Sequence, residues 1–120
     1  AAWNAKMKEY LGLEVPNDKQ GCLQDIHWAW GMVGYFPTYT LGNLYSVQLF
    51  AQAKKEIPEL EDHISKGELI TLTDWLRAKV HRVGTRRLAK ELVRDITGQN
   101  LSAQPFIQYL KTKYGAIYRL

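Results

Sequence analysis

The sequence predicts an all-α fold of about seven helices. Apolar residues recur at the three- and four-residue spacing of an amphipathic helix, whereas strict apolar–polar alternation, the mark of a half-buried strand, is almost absent. Glycine, proline and capping residues divide the 120 residues into segments of helical length. Because 46% of the residues are apolar and 23% are charged, we expect residues 1–120 to form a single globular, helical region.

Helix start and stop signals place the first two helices. The first runs from Ala2 to Leu11, and Gly12 is its stop signal. Asn17 or Asp18 can cap the second helix, which carries Cys22 to about Trp30. The residues between these two helices form a connecting loop.

The third helix should be the longest, from about Thr38 to Ile57. Gly31 and Gly34 separate it from the second helix, and Pro37 suits its first turn because proline lacks an amide proton and has a pre-set φ. Apolar residues cover much of its circumference, which is typical of a central, buried helix.

Four shorter helices are predicted in the remaining half of the chain, each bounded by a break or a stop signal. The acidic one begins after Pro58 and stops at Gly67, and a later one stops at Gly98. In chain order their sequences are PELEDHISKG, DWLRAKVHRV capped by Thr71 or Thr73, RRLAKELVRDITG capped by Gly84 and Thr85, and PFIQYLKTKYG opened by Ser102 and Pro105.

Several classes of chemistry have no motif in this sequence. The three histidines include no pair at the four-residue spacing that serves one metal ion, and HExxH, CxxC, EF-hand and phosphate-binding glycine motifs are missing, so we expect no metal ligand here. No apolar run approaches the roughly 20 residues of a membrane span. A single cysteine and the lack of a signal sequence favour a cytoplasmic protein.

A basic run offers one functional hypothesis, since the net charge is +4. Two neighbouring helices and their glycine turn could form a helical binding module for nucleic acid or an acidic protein partner. A solvated face is the simpler interpretation, because Glu91 and Asp95 interrupt the run and no stacking aromatics accompany it. The basic residues are Arg77, Lys79, Arg82, Arg86, Arg87, Lys90 and Arg94.

The segment GCLQDIHWAWGMVGYFPTY mixes polar residues with aromatics. On a regular helix Gln24 and His27 share a face and Asp25 points elsewhere. If the helix loosens near the glycines, Asp25 could orient the imidazole or cap a backbone group. His27 could be a core histidine bonded to a carbonyl. Alternatively, His27 could converge with Tyr35 and Tyr39 to donate hydrogen bonds to a developing oxyanion.

The same segment resembles a known family. GCLQDIHW matches the GxxQDxHW signature of the carboxypeptidase Taq family of thermostable zinc carboxypeptidases, and GYFPTYTLG continues the match. The approach AWNAKMKEYLGLEVPND and the ending FIQYLKTKYGAIYRL also resemble that family. The resemblance therefore covers essentially the whole chain.

The resemblance implies a mostly helical, cytosolic and often dimeric enzyme that removes single residues from peptide C-termini. It also implies a fragment, because family members are several times longer and hold zinc through an HExxH motif and a glutamate that this chain lacks. By resemblance, His27 and Tyr39, with Tyr35 next, would stabilise the tetrahedral intermediate. Gln24 and Asp25 would orient His27 or contact the peptide substrate.

We therefore expect the 120-residue chain on its own to bind no catalytic zinc and to show no carboxypeptidase activity, because it lacks HExxH and any pair of histidines at ligand spacing. Elemental analysis of the purified chain and a peptide-hydrolysis assay check this expectation. One tightly bound zinc ion per chain, or hydrolysis that copurifies with the chain, would contradict it.

Overall fold

The structure is a computed structural model that describes residues 1–119. Within those residues the chain forms seven α-helices and no strand, which confirms the all-α prediction. The chain packs as two compact units, residues 1–38 and the residues from Tyr39 onward. The expectation of a single helical region stays a prediction. No helix among the described residues has the length and apolar character that a membrane crossing requires.

The first unit begins with helix α1, Ala2–Leu11. It ends as predicted, because Gly12 adopts the left-handed conformation (φ 68°) and its amide donates to the carbonyl of Lys8. Trp3 and Met7 are half-buried, and they form the inner face of this helix.

The second predicted helix is wrong as a single element. Residues 22–30 instead form a 3₁₀ turn, Cys22–Gln24, and a short helix α2, Ile26–Ala29. The two are separated by Asp25, whose backbone is extended (φ −84°, ψ 102°). Asn17 does act as a cap, but it caps the preceding 3₁₀ turn, Asp18–Gln20, where its side chain accepts from the amide of Gln20 at 3.0 Å.

The second unit contains the long helix α3 and four shorter helices. Pro58 ends α3, and the left-handed glycines Gly67 and Gly98 follow α4 and α6 as the sequence predicts. The helix bounds are α3, Thr38–Glu56; α4, Leu60–Ser65; α5, Ile70–Leu76; α6, Ala89–Thr97; and α7, Gln104–Tyr118. Helix α5 passes directly into a π-turn, Arg77–His81, and the 3₁₀ turn Gly84–Arg86 precedes α6.

The threonine caps predicted for two helices are wrong. Helix α5 begins at Ile70, so Thr71 and Thr73 lie inside it, and the Thr73 hydroxyl donates to the carbonyl of Ile70. Thr85 lies in the 3₁₀ turn, and α6 begins only at Ala89, where the Glu91 carboxylate accepts from the amide of Leu88 at 3.2 Å. The caps fail because the chain carries more turns between helices than glycine and threonine signals reveal.

The core of the second unit is small. Ala53 of α3, Leu60 of α4 and Trp75 of α5 are buried together, and Val93 of α6 is also buried. The prediction that α3 is a buried central helix is too strong, because Gln48 and Ala53 are the only buried residues that it contributes. The partly buried apolar residues packed against this core are Leu49, Ile57, Ile64, Leu72, Leu76 and Ile96.

A buried glutamine connects α3 to the loop between α6 and α7. The Gln48 side-chain nitrogen donates to the carbonyl of Asn100 at 3.0 Å, and its oxygen accepts from the amide of Ser102 at 3.2 Å. Both ends of the amide are therefore satisfied, as burial of a polar group requires. This side chain fixes the loop that leads into α7.

Glu56, at the end of α3, connects this helix to α5 and the π-turn. Its carboxylate accepts from Gln52 at 3.0 Å, from the indole of Trp75 at 2.8 Å and from Lys79 at 3.0 Å. These hydrogen bonds, of which the one from Gln52 has the largest effect, lower the pKa of Glu56 to about 2. The ionised carboxylate is thus favoured by the fold.

We expect this carboxylate to make folding stability pH-dependent in a defined window. Because the pKa of Glu56 is lowered from 4.5 to about 2, its stabilising contribution is complete above the higher value and is lost as the pH falls through that window. Thermal midpoints measured by circular dichroism at a series of pH values should therefore fall less steeply in Glu56→Gln than in the unmodified chain.

Glu59→Gln is the matched control, since Glu59 is an exposed neighbour of the same charge. Its midpoints should follow those of the unmodified chain across the window. A Glu56→Gln curve that runs parallel to both would contradict the assignment.

Candidate functional site

The candidate site is built around Asp25, which interrupts the helical pattern. Its carboxylate Oδ1 accepts from the backbone amide of His27 at 3.0 Å, so Asp25 is the N-cap of α2. A carboxylate at this position satisfies an amide that has no partner within the helix. The break in the helix is therefore the means by which Asp25 and His27 meet, two residues apart.

The imidazole of His27 contacts the same carboxylate. Its Nδ1 lies 2.5 Å from Oδ1 of Asp25, and the two side chains are 12% and 10% exposed. Burial alone would raise the pKa of Asp25, but hydrogen bonds from the imidazole and the amide of His27 hold that pKa below its ordinary value. An ionised carboxylate only accepts, so the Nδ1 atom carries the proton of this pair.

Three aromatic rings surround this imidazole. The ring of Tyr35 stacks on it, with centroids 5.3 Å apart and planes 30° apart. Phe36 and Trp30 form T-shaped contacts with it, with centroids 6.0 and 6.5 Å away and interplanar angles of 80° and 82°. The histidine is thus held by a carboxylate and by three rings, which is more than a hydrogen bond to a backbone carbonyl would provide.

A tight turn brings these rings back to the histidine. Gly31 and Gly34 both adopt positive φ values, 69° and 79°, which side-chain-bearing residues rarely take. Within the turn the amide of Met32 donates to the carbonyl of His27 at 2.9 Å, and the amide of Tyr35 donates to the carbonyl of Met32 at 3.2 Å. The glycines are therefore required by the path of the chain.

The structure brings together three of the five residues predicted from the sequence: Asp25, His27 and Tyr35. The Gln24 side chain instead donates to the carbonyl of Lys19 at 2.5 Å and so holds the preceding turn. Gln24 and Asp25 also line an open cavity of about 580 Å³. Tyr39 lies in the first turn of α3 and is described with the second unit, where its side chain is exposed.

Sequence reasoning missed Trp30 and Phe36. The signal that could have found them is the pair of glycines, Gly31 and Gly34, which flank a turn short enough to return the chain to the histidine. Aromatic residues on both sides of such a turn are candidates for contact with whatever lies before it. The ring angles themselves have no sequence signal.

The basic run forms a less organised surface. Arg77 pairs with Asp74 at 2.7 Å, and Lys79 pairs with Glu56. Arg87 lies 3.7 Å from Asp95. Part of the positive charge is therefore neutralised within the second unit, as on an ordinary solvated helix face.

Comparison with known proteins then identifies the family. Residues 1–114 match the family model described as carboxypeptidase Taq (M32) metallopeptidase. This chain belongs to the M32 metallopeptidase family. The membership confirms the resemblance carried by GCLQDIHW and GYFPTYTLG.

Relatives in this M32 family are similar along nearly the whole chain. Thermostable carboxypeptidase 1 of Thermus thermophilus is 46% identical over 98% of the chain, and carboxypeptidase 1 of Bacillus subtilis is 40% identical over 98%. The M32 carboxypeptidase of Deinococcus radiodurans R1 superposes with a TM-score of 0.91 at 42% identity, over 99% of the chain. The chain spans 23–24% of the length of these proteins.

The residues described here do not supply a metal site of their own. Among residues 1–119 no group of three or more histidine, cysteine, aspartate or glutamate side chains is placed to hold a metal ion. The side chains at the candidate site pair with each other, as Asp25 does with His27. A metallopeptidase requires a metal ion, and no group of side chains among residues 1–119 is placed to hold one by itself.

The signature begins with a glycine whose identity the packing explains. A Cβ atom added to Gly21 would lie 2.5 Å from Cγ1 of Val15 and 3.2 Å from the carbonyl oxygen of Asn17. The first contact is far below van der Waals distance, and the second involves the backbone, which cannot rotate away. The absence of a side chain at Gly21 thus lets its backbone pack directly against Val15 and Asn17.

We expect Gly21→Ala to lower the free energy of unfolding by about 1–3 kcal/mol, the typical cost of forcing an extra methyl group into a packed position. Urea denaturation followed by circular dichroism measures the change. Gly42→Ala is the control, because a Cβ there meets nothing within 4 Å and lies inside α3, so stability should rise by about 0.5–1 kcal/mol. Equal effects of the two substitutions would contradict the packing argument.

Proposed function

We propose that this chain is the part of a zinc-dependent carboxypeptidase that supplies the oxyanion and substrate side of the cleft. Such an enzyme releases single residues from the C-termini of peptides, acts in the cytoplasm and forms a dimer. The family membership and the similarity to proteins named carboxypeptidase support this proposal. The chain alone is inactive under this proposal, because the metal-binding residues belong to the rest of the protein.

The observation that carries the proposal is the pair formed by Asp25 and His27. Because Nδ1 donates to the carboxylate, Nε2 is the ring nitrogen that acts on a ligand. In the charged ring Nε2 also bears a proton, so the Asp25 carboxylate balances an imidazolium that donates to a developing negative oxygen. Donors of this kind stabilise a transition state most when they are held in place beforehand.

Tyr39 is the second proposed donor to the oxyanion, with Tyr35 as the alternative phenol. Both side chains carry hydroxyl groups that can donate to an oxygen anion without a change of protonation state. Gln24 and Asp25 are proposed to contact the peptide, since both line the same open cavity. When bound elsewhere in the protein, zinc would polarise the scissile carbonyl.

A chimera tests these roles. The segment of the Thermus thermophilus enzyme that matches this chain over 117 residues is replaced by the chain itself, and hydrolysis of a blocked dipeptide is followed. We expect an active chimera in which His27→Ala lowers kcat/KM about 10²–10³-fold, the typical cost of losing one oxyanion donor. Tyr39→Phe should reduce kcat/KM in the same direction.

His63→Ala is the matched control for the histidine substitution. His63 also pairs with a carboxylate, since its Nδ1 lies 2.7 Å from Glu68, but it belongs to α4 in the second unit. Its removal should change kcat/KM by less than about threefold, as surface substitutions generally do. A chimera that folds and binds zinc but retains activity after His27→Ala would refute the proposed role.

A further inference from the structure

We propose that Trp30, Tyr35 and Phe36 are positioning residues that clamp the imidazole of His27, so that its Nδ1 stays on Asp25 and its Nε2 keeps one direction. The clamp is a statement about this chain by itself. Only its consequence for catalysis rests on the proposed function of His27.

A hydrogen bond to Asp25 is not sufficient to orient the ring. It restrains Nδ1 only while it is formed, and the imidazole can rotate about its Cβ–Cγ bond whenever that contact opens. The second side-chain torsion of histidine is broad and nearly two-fold, so a flip that exchanges the nitrogen and carbon edges of the ring costs little in open space. Contacts on the other edges and on the face of His27 are needed to remove these alternatives.

The three rings provide contacts of two different kinds. Tyr35 covers one face of the imidazole at 5.3 Å and 30°, which resists tilting of the ring out of its plane. Phe36 and Trp30 stand nearly perpendicular to the imidazole at 6.0 and 6.5 Å, and these contacts hinder a change in the orientation of the ring. Stacked and edge-on contacts of this geometry are the favourable arrangements of aromatic pairs.

Packing within this chain does not explain these aromatic side chains. Trp30 and Phe36 are 66% and 61% exposed, and neither belongs to the buried cluster of this chain. Two large, exposed rings nevertheless converge on one half-buried polar side chain. Their contact with His27 is therefore the feature that accounts for their positions.

All parts of the clamp lie within one short stretch of chain, from Asp25 to Phe36. The positive φ values of Gly31 and Gly34 reverse the backbone, and the amide of Met32 anchors the turn on the carbonyl of His27. The parts that hold the imidazole thus come from one continuous segment. Their arrangement can be examined in the 120-residue chain, with no other part of the protein present.

Nuclear magnetic resonance reads the ring directly. Long-range ¹H–¹⁵N spectra of the full chain, recorded in alkaline solution, distinguish the Nδ1–H from the Nε2–H form of neutral histidine. We expect a single Nδ1–H form for His27, assigned by its disappearance in His27→Gln. Nuclear Overhauser contacts should join its ring protons to Trp30, Tyr35 and Phe36.

Substitutions then test each ring. Trp30→Leu, Tyr35→Leu and Phe36→Leu should each shift the His27 nitrogens toward a mixture of the two forms. Tyr35→Phe keeps the stacked ring and should keep the original signals. Tyr10→Leu, which removes an exposed aromatic ring of α1, is the matched control, and His63 is the internal reference whose signals should not move.

Unchanged His27 signals in the three leucine variants, with helical circular dichroism retained, would overturn the clamp. If those variants lose their helical signal, the unmodified chain still decides: a mixed tautomer for His27, or missing contacts to Trp30 and Phe36, overturns the clamp without any substitution. A single Nδ1–H form with all three contacts supports it.

The chimera separates this inference from the proposed function. A looser imidazole should lower kcat by about 10²-fold with little change in KM, the effect of misplacing a catalytic group by about 1 Å. If Trp30→Leu alters the His27 signals but leaves kcat unchanged, the clamp stands and the catalytic role of His27 fails. If the signals are unaltered while His27→Ala removes activity, the clamp fails and the catalytic role stands.

Discussion

The candidate site depends on one carboxylate that accepts two hydrogen bonds. Oδ1 of Asp25 accepts from the amide and from the imidazole of the same residue, His27. The first bond starts α2 and the second holds Nδ1 of the ring, so a single side chain contributes to both the local secondary structure and the geometry of the site. One carboxylate therefore caps a helix and fixes the tautomer of a histidine. Here the two roles cannot be separated, and the polar residues among the aromatics of this segment follow from that.

Much of the fold could be predicted from the sequence, because helices with strong end signals depend on local chemistry. Gly12 and Gly98 end helices as left-handed residues, and α3 begins next to Pro37 as expected. The failures lie where side chains compete with the helix. Asp25 was assigned to a helix interior because its spacing fits one, yet its carboxylate finds a better partner in the amide of His27 than a continuous helix offers. Periodicity describes where apolar residues fall and contains no information about such competition.

The sequence predicts which residues belong to the site better than it predicts how they are arranged. His27 and the tyrosines stand out because of their residue types. A contact between Asp25 and His27 depends on a break in the helix, and the sequence does not show where that break lies. Trp30 and Phe36 became visible only through the backbone path at Gly31 and Gly34. Ring distances depend on several torsions at once, and each is undetermined by residue type. The second unit shows the same limit, since the bridging roles of Gln48 and Glu56 depend on which loop packs beside them.

The short loop between Asp25 and Phe36 has a consequence for folding. Contacts that close over few residues cost little chain entropy and form early, whereas contacts distant in sequence wait for the chain ends to meet. The histidine environment should thus be organised before the remaining polypeptide of a much longer protein has collapsed around it. Because the geometry of such a segment depends on its own residues, we expect it to stay the same when substitutions accumulate in distant helices.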